Sequence, residues 1–209
     1  MLSVDVVALR YHADRGLSIG LNLRANEPHW GELALPGVLM FQDETVLEAA
    51  TRALDIKLRV TLHETDYLIV NQVHDTPKRD VRGPTVAISC IAIIHQRGHF
   101  FHWPCTWLAL NADALPELPF DHNAIIASAL LKLRELVWAD RYALEALLGA
   151  EFSTGQMTRL VDAVYGEKQR RSTIHRLLTR TPFLERIEPS SIRVSGQPGR
   201  PQAWWRFTP

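Results

Sequence analysis

The chain has 209 residues, 46% hydrophobic and 22% charged, which fits a globular fold of one large domain, or a medium domain plus a small one, and excludes wholesale disorder. No window approaches eighteen uninterrupted apolar residues, the opening MLSVDVVALRY lacks the features of a secretory signal, and Cys90 and Cys105 are too few for a disulfide framework, so a cytoplasmic protein without a membrane span is expected. The net charge of zero conceals a split: residues 152–209 hold ten Lys/Arg and four Asp/Glu, net +6, while residues 1–151 hold thirteen and nineteen, net −6. Such asymmetry points to a nucleic-acid or acidic-surface partner for the basic part, or to mutual attraction of the two parts.

Ser3–Arg10 and Leu17–Leu23 read as buried strands joined at Asp14-Arg15-Gly16, a hairpin opening a sheet. Asn26–Trp30 reads as loop, and Leu35-Pro36-Gly37 as a break in regular structure. From Thr45 to about Leu58, Val46, Leu47, Ala50, Ala53 and Leu54 recur at helical spacing, with Thr45 as N-cap and Glu48 in the first turn. Tyr67–Val73 is a strand, His74–Pro84 a polar loop, and Thr85–Ile94 a central strand. After a turn at Gln96-Arg97-Gly98, His99–Leu110 returns as a strand, and Asp113–Pro119 is loop. Asp121 is expected to cap an amphipathic helix through Val137, and Arg141–Leu148 forms a short helix ending at Gly149.

Residues 1–150 therefore read as a mixed α/β domain and residues 151–209 as a separate unit. In the latter, Ser153 caps a helix over Gly155–Tyr165 that Gly166 stops, and a second helix over about Arg171–Thr179 buries Ile174, Leu177 and Leu178. Short strands follow at Phe183–Ile187, Ile192–Val194 and Ala203–Phe207, with a basic tip over residues 195–201. This order is the outline of a winged helix-turn-helix.

Leu35 to Val60 resembles the Nudix box, G-xxxxx-E-xxxxxxx-R-E-U-x-E-E-x-G-U with U aliphatic. Glu44 stands at the first glutamate, Arg52 at the arginine, and Leu54 and Val60 at the aliphatics, but Val38 and Arg59 occupy the two glycines. Ala53, Ile56 and Lys57 occupy the remaining glutamates. In an active Nudix hydrolase these glutamates hold Mg²⁺, a hard ion that requires oxygen ligands. Ile56 offers none, Lys57 is itself a cation, and Asp55 lies about 100° round the helix. The expectation is an α/β/α Nudix-like fold with no catalytic residue, no metal and no cofactor. The alternative is a nucleoside-diphosphate hydrolase with an altered metal site drawing on Glu48 and Glu64.

His74–Ile94 is similar to the corresponding segment of Nudix-related bacterial transcriptional regulators, as are Phe120-Asp121-His122, Phe152-Ser153-Thr154, Arg176-Leu177-Leu178 and Gly199-Arg200-Pro201 with Trp205-Arg206-Phe207. That resemblance implies a dimeric regulator, usually a repressor of NAD or sugar metabolism. It further implies a Nudix-like domain sensing ADP-ribose or a related nucleotide or sugar phosphate, and a winged helix on double-stranded DNA. Arg79 and Arg82 are candidates for binding a diphosphate, because guanidinium grips phosphate oxygens bidentately. Intraloop ion pairs are the competing role. With Arg52 and Lys57 they make the expected effector set. Lys168, Arg170, Arg171, Ser172, Thr173, His175 and Arg176 of the second C-terminal helix, with Arg200 at the wing tip, make the expected DNA set.

His95, His99, His102 and Cys105 lack the spacing of a zinc site and read better as surface or edge-strand residues. Tyr67, Phe100, Phe101, Trp103 and Trp107 could stack on a base, but core or edge packing is the simpler role.

Overall fold

The computed structural model describes residues 1–95, 105–110, 115–188 and 203–208. Strand β1 (Leu2–His12) is the axis of the larger sheet. Its alternation sends Val4, Val6 and Ala8 to one core and Val7, Leu9 and Tyr11 to another. β1 pairs in parallel with β6 (Val86–Ile93), which pairs antiparallel with β5 (Tyr67–His74) at the edge. On its other side β1 changes partner. Ala8–His12 pair with β2 (Gly16–Leu23), whereas Ser3–Asp5 pair with β4 (Gly37–Leu39). β3 (Leu33–Ala34) and β7 (Cys105–Ala109) flank β2.

The partner change at β1 opens the sheet. Beyond Gly20, β2 diverges while Leu35-Pro36-Gly37 turns into β4, and Val6 N–H bonds to the Pro36 carbonyl at 2.9 Å across the gap. β3 and β4 were not anticipated. With two and three residues they are too short for periodicity to register, and they exist because β1 and β2 offer open edges.

Helix α1 (Val46–Ala53) covers one face through Ala49, Ala50 and Ala53; Thr45 is its N-cap as expected, and Glu48, expected only as a first-turn acid, closes a capping box with it. It continues as a π-helical turn over Leu54–Leu58. The turn ends at Arg59, which sits at φ 56° in the left-handed region, the position a glycine fills in the Nudix pattern. The opposite face carries α2 (His122–Ala139) and α3 (Arg141–Leu148). The result is the expected α/β/α layering. Asp121 precedes α2 but makes no side-chain cap, contrary to expectation, because its carboxylate is committed to Arg79.

After α3, β8 (Glu151–Ser153) leads into α4 (Thr154–Tyr165), capped by a Ser153–Gln156 box. Gly166 at φ 75° ends α4, and after four intervening residues α5 (Arg171–Arg180) begins. β9 (Leu184–Ile187) and β10 (Trp204–Phe207) complete an antiparallel three-stranded sheet in the order β8-β10-β9. β8 escaped sequence reading because three residues carry no usable alternation. Residues 192–194 and the tip at 195–201 lie outside the described residues.

The apolar cluster on the α2 face continues without a break into Phe152, Met157, Leu160, Val161, Ile174, Leu178 and Trp205. The Tyr11 hydroxyl donates to the Gln156 carbonyl at 3.4 Å. Arg134 of α2 donates to the Val164 and Tyr165 carbonyls at the end of α4, both at 3.4 Å. Among the described residues no helix is long and apolar enough to cross a membrane.

Candidate functional site

A cleft of about 360 Å³ occupies the opening between β1, β2 and β4. One wall is Val38, Leu39, Phe41, Arg52, Ile56 and Lys57, from β4, α1 and its π-helical turn. The other comprises Arg24, Ala25, Asn26, Arg79, Asp80, Arg82, Phe120 and His122, and the floor holds Ser3, Asp5, Asn22 and Leu35. Gly37 also lines it, and a Cβ there would lie 2.3 Å from Asp5 Oδ1, so a side chain would displace that carboxylate.

All four residues of the expected effector set, Arg52, Lys57, Arg79 and Arg82, line this one cleft. Their electrostatic circumstances differ. The Arg52 guanidinium binds both oxygens of Glu44, donates to the Leu39 carbonyl at 3.0 Å and lies 3.9 Å over the Phe41 ring. Arg82 grips Asp80 bidentately, the intraloop pair that competes with phosphate binding, and keeps its side chain 43% exposed. The Arg79 side chain is 4% exposed and donates to Asp121 at 2.9 and 2.7 Å and to Asp5 at 3.2 Å. It ties the 74–84 loop, β1 and the start of α2 together.

The two carboxylates around Arg79 respond differently. Burial pushes Asp5 up to about 6 despite its single bond to the guanidinium. At Asp121 burial acts the same way but is outweighed by the two hydrogen bonds from Arg79, so its carboxyl lies below the usual range.

Sequence reading missed Arg24, Phe120, His122 and the polar floor. Arg24 donates from Nε to the Pro28 carbonyl at 2.9 Å and from Nη2 to the Asn26 carbonyl at 3.4 Å, and stands 4.8 Å over the Phe120 ring. Burial, then the like charge of Arg82, lowers the Arg24 guanidinium from its ordinary value. Phe120 sits at φ 61°, a conformation costly for an aromatic residue, and His29 meets its ring edge-on at 5.1 Å. His122 is buried and accepts the Leu35 N–H through Nδ1 at 3.2 Å. Burial depresses it to about 3, so it is neutral. The Phe120-Asp121-His122 triplet was the available signal, since all three residues line or brace the cleft. On the floor, Ser3 Oγ and Asn22 Oδ1 are buried without a hydrogen-bond partner among the described residues. Leaving such an atom unmatched costs about 1–3 kcal/mol.

The donor set does not fit the Mg²⁺ that the Nudix resemblance implies. Ile56 and Lys57 line the cleft, Ala53 is buried in the α1 core, and Asp55 and Glu64 are not among the lining residues. Glu44 is held by Arg52 and the Phe41 N–H, and Glu48 by Thr45. Of the carboxylates that do line the cleft, Asp5 is bonded to Arg79 and Asp80 to Arg82, so an octahedral oxygen cage is not assembled from these groups.

In the second region, Ile174 and Leu178 bury one side of α5, and Leu177 is only half-buried. Arg170, Arg171, Ser172, His175 and Arg176 are exposed, as is Lys168 in the turn, and Thr173 is half-buried. The His175 ring meets Trp205 edge-on at 6.0 Å, and Trp205 Nε1 donates to Thr154 Oγ1 at 2.9 Å, which ties α5 to the start of α4 through β10. Arg200 lies outside the described residues.

Other candidates have structural roles. His95 Nδ1 pairs with the Ala146 carbonyl at 3.1 Å, and the remaining two histidines of that group lie outside the described residues. The Tyr67 hydroxyl donates to Asp140, and Arg10 covers the Trp107 ring at 3.9 Å. Phe100, Phe101 and Trp103 lie outside the described residues.

No family model and no curated protein matches the chain in sequence. Solved structures do match. A MutT/nudix family protein from Enterococcus faecalis superposes with a TM-score of 0.74 at 20% identity, covering 100% of this chain and 88% of its own. Shewanella oneidensis NrtR, complexed with a 27mer DNA, gives 0.73 at 22%, covering 99% and 93%. The NUDIX domain of the same NrtR, complexed with ADP ribose, gives 0.52 at 25%, covering 64% and 88%. The chain has the Nudix fold with a further C-terminal unit, as the resemblance implied.

Proposed function

We propose that this chain is a ligand-responsive, DNA-binding transcriptional regulator, with residues 1–150 as a non-catalytic effector sensor and residues 151–209 as a winged helix-turn-helix. The observation that carries the reading is α5: the second helix of a helix-turn-helix pair, fixed from behind by Ile174 and Leu178, with Arg171, Ser172, His175 and Arg176 facing solvent. A helix so mounted is suited to a major groove, its N-terminal side chains meeting base edges. Lys168 and Arg170 hold phosphates, and Arg200 belongs to the same proposed DNA-binding set. The whole-chain likeness to a protein solved on DNA, and the likeness of the N-terminal part to a domain solved with ADP ribose, support both halves of the reading.

The effector is ADP-ribose or a related nucleotide or sugar phosphate, and the protein is a cytoplasmic homodimer that represses genes of NAD or sugar metabolism. α2 offers the route of communication. It starts at the cleft with Asp121 and His122, and about 18 Å further along at 1.5 Å per residue, Arg134 holds the end of α4. An effector that favours one setting of α2 changes the spacing of two α5 helices, which must match adjacent major grooves about 34–36 Å apart.

The test is an anisotropy titration of the full chain on its own upstream DNA, with and without ADP-ribose. Binding that weakens steeply with salt and shifts on adding effector is expected. Absence of binding at low salt sinks the proposal. Turnover of ADP-ribose with Mg²⁺, abolished by Glu48→Gln, would favour a hydrolase instead.

A further inference from the structure

The cations of the cleft fall into two groups. Arg52, Arg79 and Arg82 are each bonded to a carboxylate. Lys57 and Arg24, on opposite walls, have no ion pair among the described residues. Arg24 is already held rigid by two carbonyls and the Phe120 ring, which leaves Nη1 available. Lys57 stands at a glutamate position of the Nudix pattern. A divalent cation placed between these two would be repelled by both, whereas a phosphate would be attracted by both.

The floor has the opposite chemistry. Asn22 is 5% exposed, and its Oδ1 is a buried acceptor without a donor. Ser3 Oγ, which also lines the cleft, is likewise unmatched among the described residues, and Asp5 adds a buried carboxyl. Asn22 Oδ1 can only accept and so calls for a hydroxyl donor rather than a phosphate oxygen, while the Ser3 hydroxyl can exchange a hydrogen bond with a hydroxyl in either direction. The cleft thus has an axis, with positive charge on its half-exposed walls and hydrogen-bond acceptors below.

We infer that the cleft binds a phosphorylated sugar without any metal ion, Lys57 and Arg24 gripping the phosphate and Asn22 and Ser3 receiving the sugar hydroxyls. This rests on the sensor reading and names the ligand chemistry of that same cleft. Lys57 and Arg24 thereby take over the charge neutralisation that a bound magnesium supplies in Nudix hydrolases.

The test is calorimetric titration of the full chain with ADP-ribose, ribose 5-phosphate and inorganic pyrophosphate, each in EDTA and in Mg²⁺. ADP-ribose affinity is expected to agree between the two conditions within about twofold. Lys57→Gln and Arg24→Gln should each weaken it by roughly tenfold or more, the loss expected for one charge-assisted hydrogen bond, and Lys57→Arg should restore most of it. Asn22→Ala should weaken ribose 5-phosphate and leave pyrophosphate nearly unchanged, and thermal melts confirm that each variant is folded. A gain of roughly tenfold or more on adding Mg²⁺, or unchanged affinity in both the Lys57→Gln and Arg24→Gln proteins, overturns this inference and leaves the sensor reading intact. Failure of all three compounds to bind overturns both.

Discussion

The cleft and the exposed helix α5 are both rich in arginine, yet they use it in opposite ways. In the cleft, Arg52, Arg79 and Arg82 are paired with Glu44, with Asp5 and Asp121, and with Asp80. On α5 and the turn before it, Lys168, Arg170, Arg171 and Arg176 are exposed and make no ion pair among the described residues. A paired, buried arginine chiefly builds architecture, because its charge is already compensated. An exposed, unpaired one costs little to leave in water and stays available to a polyanion. Lys57 and Arg24 are the members of the cleft that, like the α5 group, make no ion pair among the described residues.

The contrast is broken most forcefully at Arg79. Replacing it by Ala leaves the Asp5 and Asp121 carboxylates without their shared cation, and loss of about 3–5 kcal/mol is expected in urea unfolding at pH 8. The loss should shrink at pH 5, where Asp5, with its ordinary value already pushed up to about 6, takes up a proton. Little change at pH 8 would show that the pairs are not structural. Arg171→Ala is the mirror case. It should weaken specific DNA binding by about 1–3 kcal/mol while leaving the melting temperature unchanged, since its side chain faces solvent.

A smaller effect sharpens the description of the cleft as preformed. His122 is neutral when folded, with a value near 3, and titrates near its ordinary 6.5 when unfolded. Its contribution is therefore complete above pH 6.5 and is lost as pH falls towards 3. Asp5, shifted upward, works in the other direction: its contribution is complete below about pH 4 and is lost as pH rises through about 6. Comparison with His122→Asn isolates the histidine. The destabilisation caused by that change, measured by denaturant titration, should diminish on acidification by up to about 1.4 kcal/mol per pH unit below 6.5. A constant difference across that range would mean that His122 is protonated in the fold. Smallest of all, Arg59→Gly should raise stability by about 0.5–1 kcal/mol, because φ 56° suits glycine better. A loss instead would give the Arg59 side chain a role that its backbone geometry does not suggest.

Much of this was legible along the chain. The helical spacing from Val46, the caps at Thr45 and Ser153, the stop at Gly166 and the buried pair Ile174 and Leu178 all follow from interactions within a few residues, which local sequence encodes directly. That Ala53, Ile56 and Lys57 stand where the Nudix pattern has glutamates was equally plain, as was the basic tail. Tertiary structure decided how Arg79 and Arg24 are engaged, whereas the Arg82–Asp80 pair, two residues apart, lay within reach of sequence reading. Arg79 finds Asp121 across 42 positions and Asp5 across 74, and Arg24 meets Phe120 only because β2 diverges from β1 where β4 takes over. Charge is a property of the residue, but its compensation depends on neighbours brought together by the sheet, and no local pattern records them.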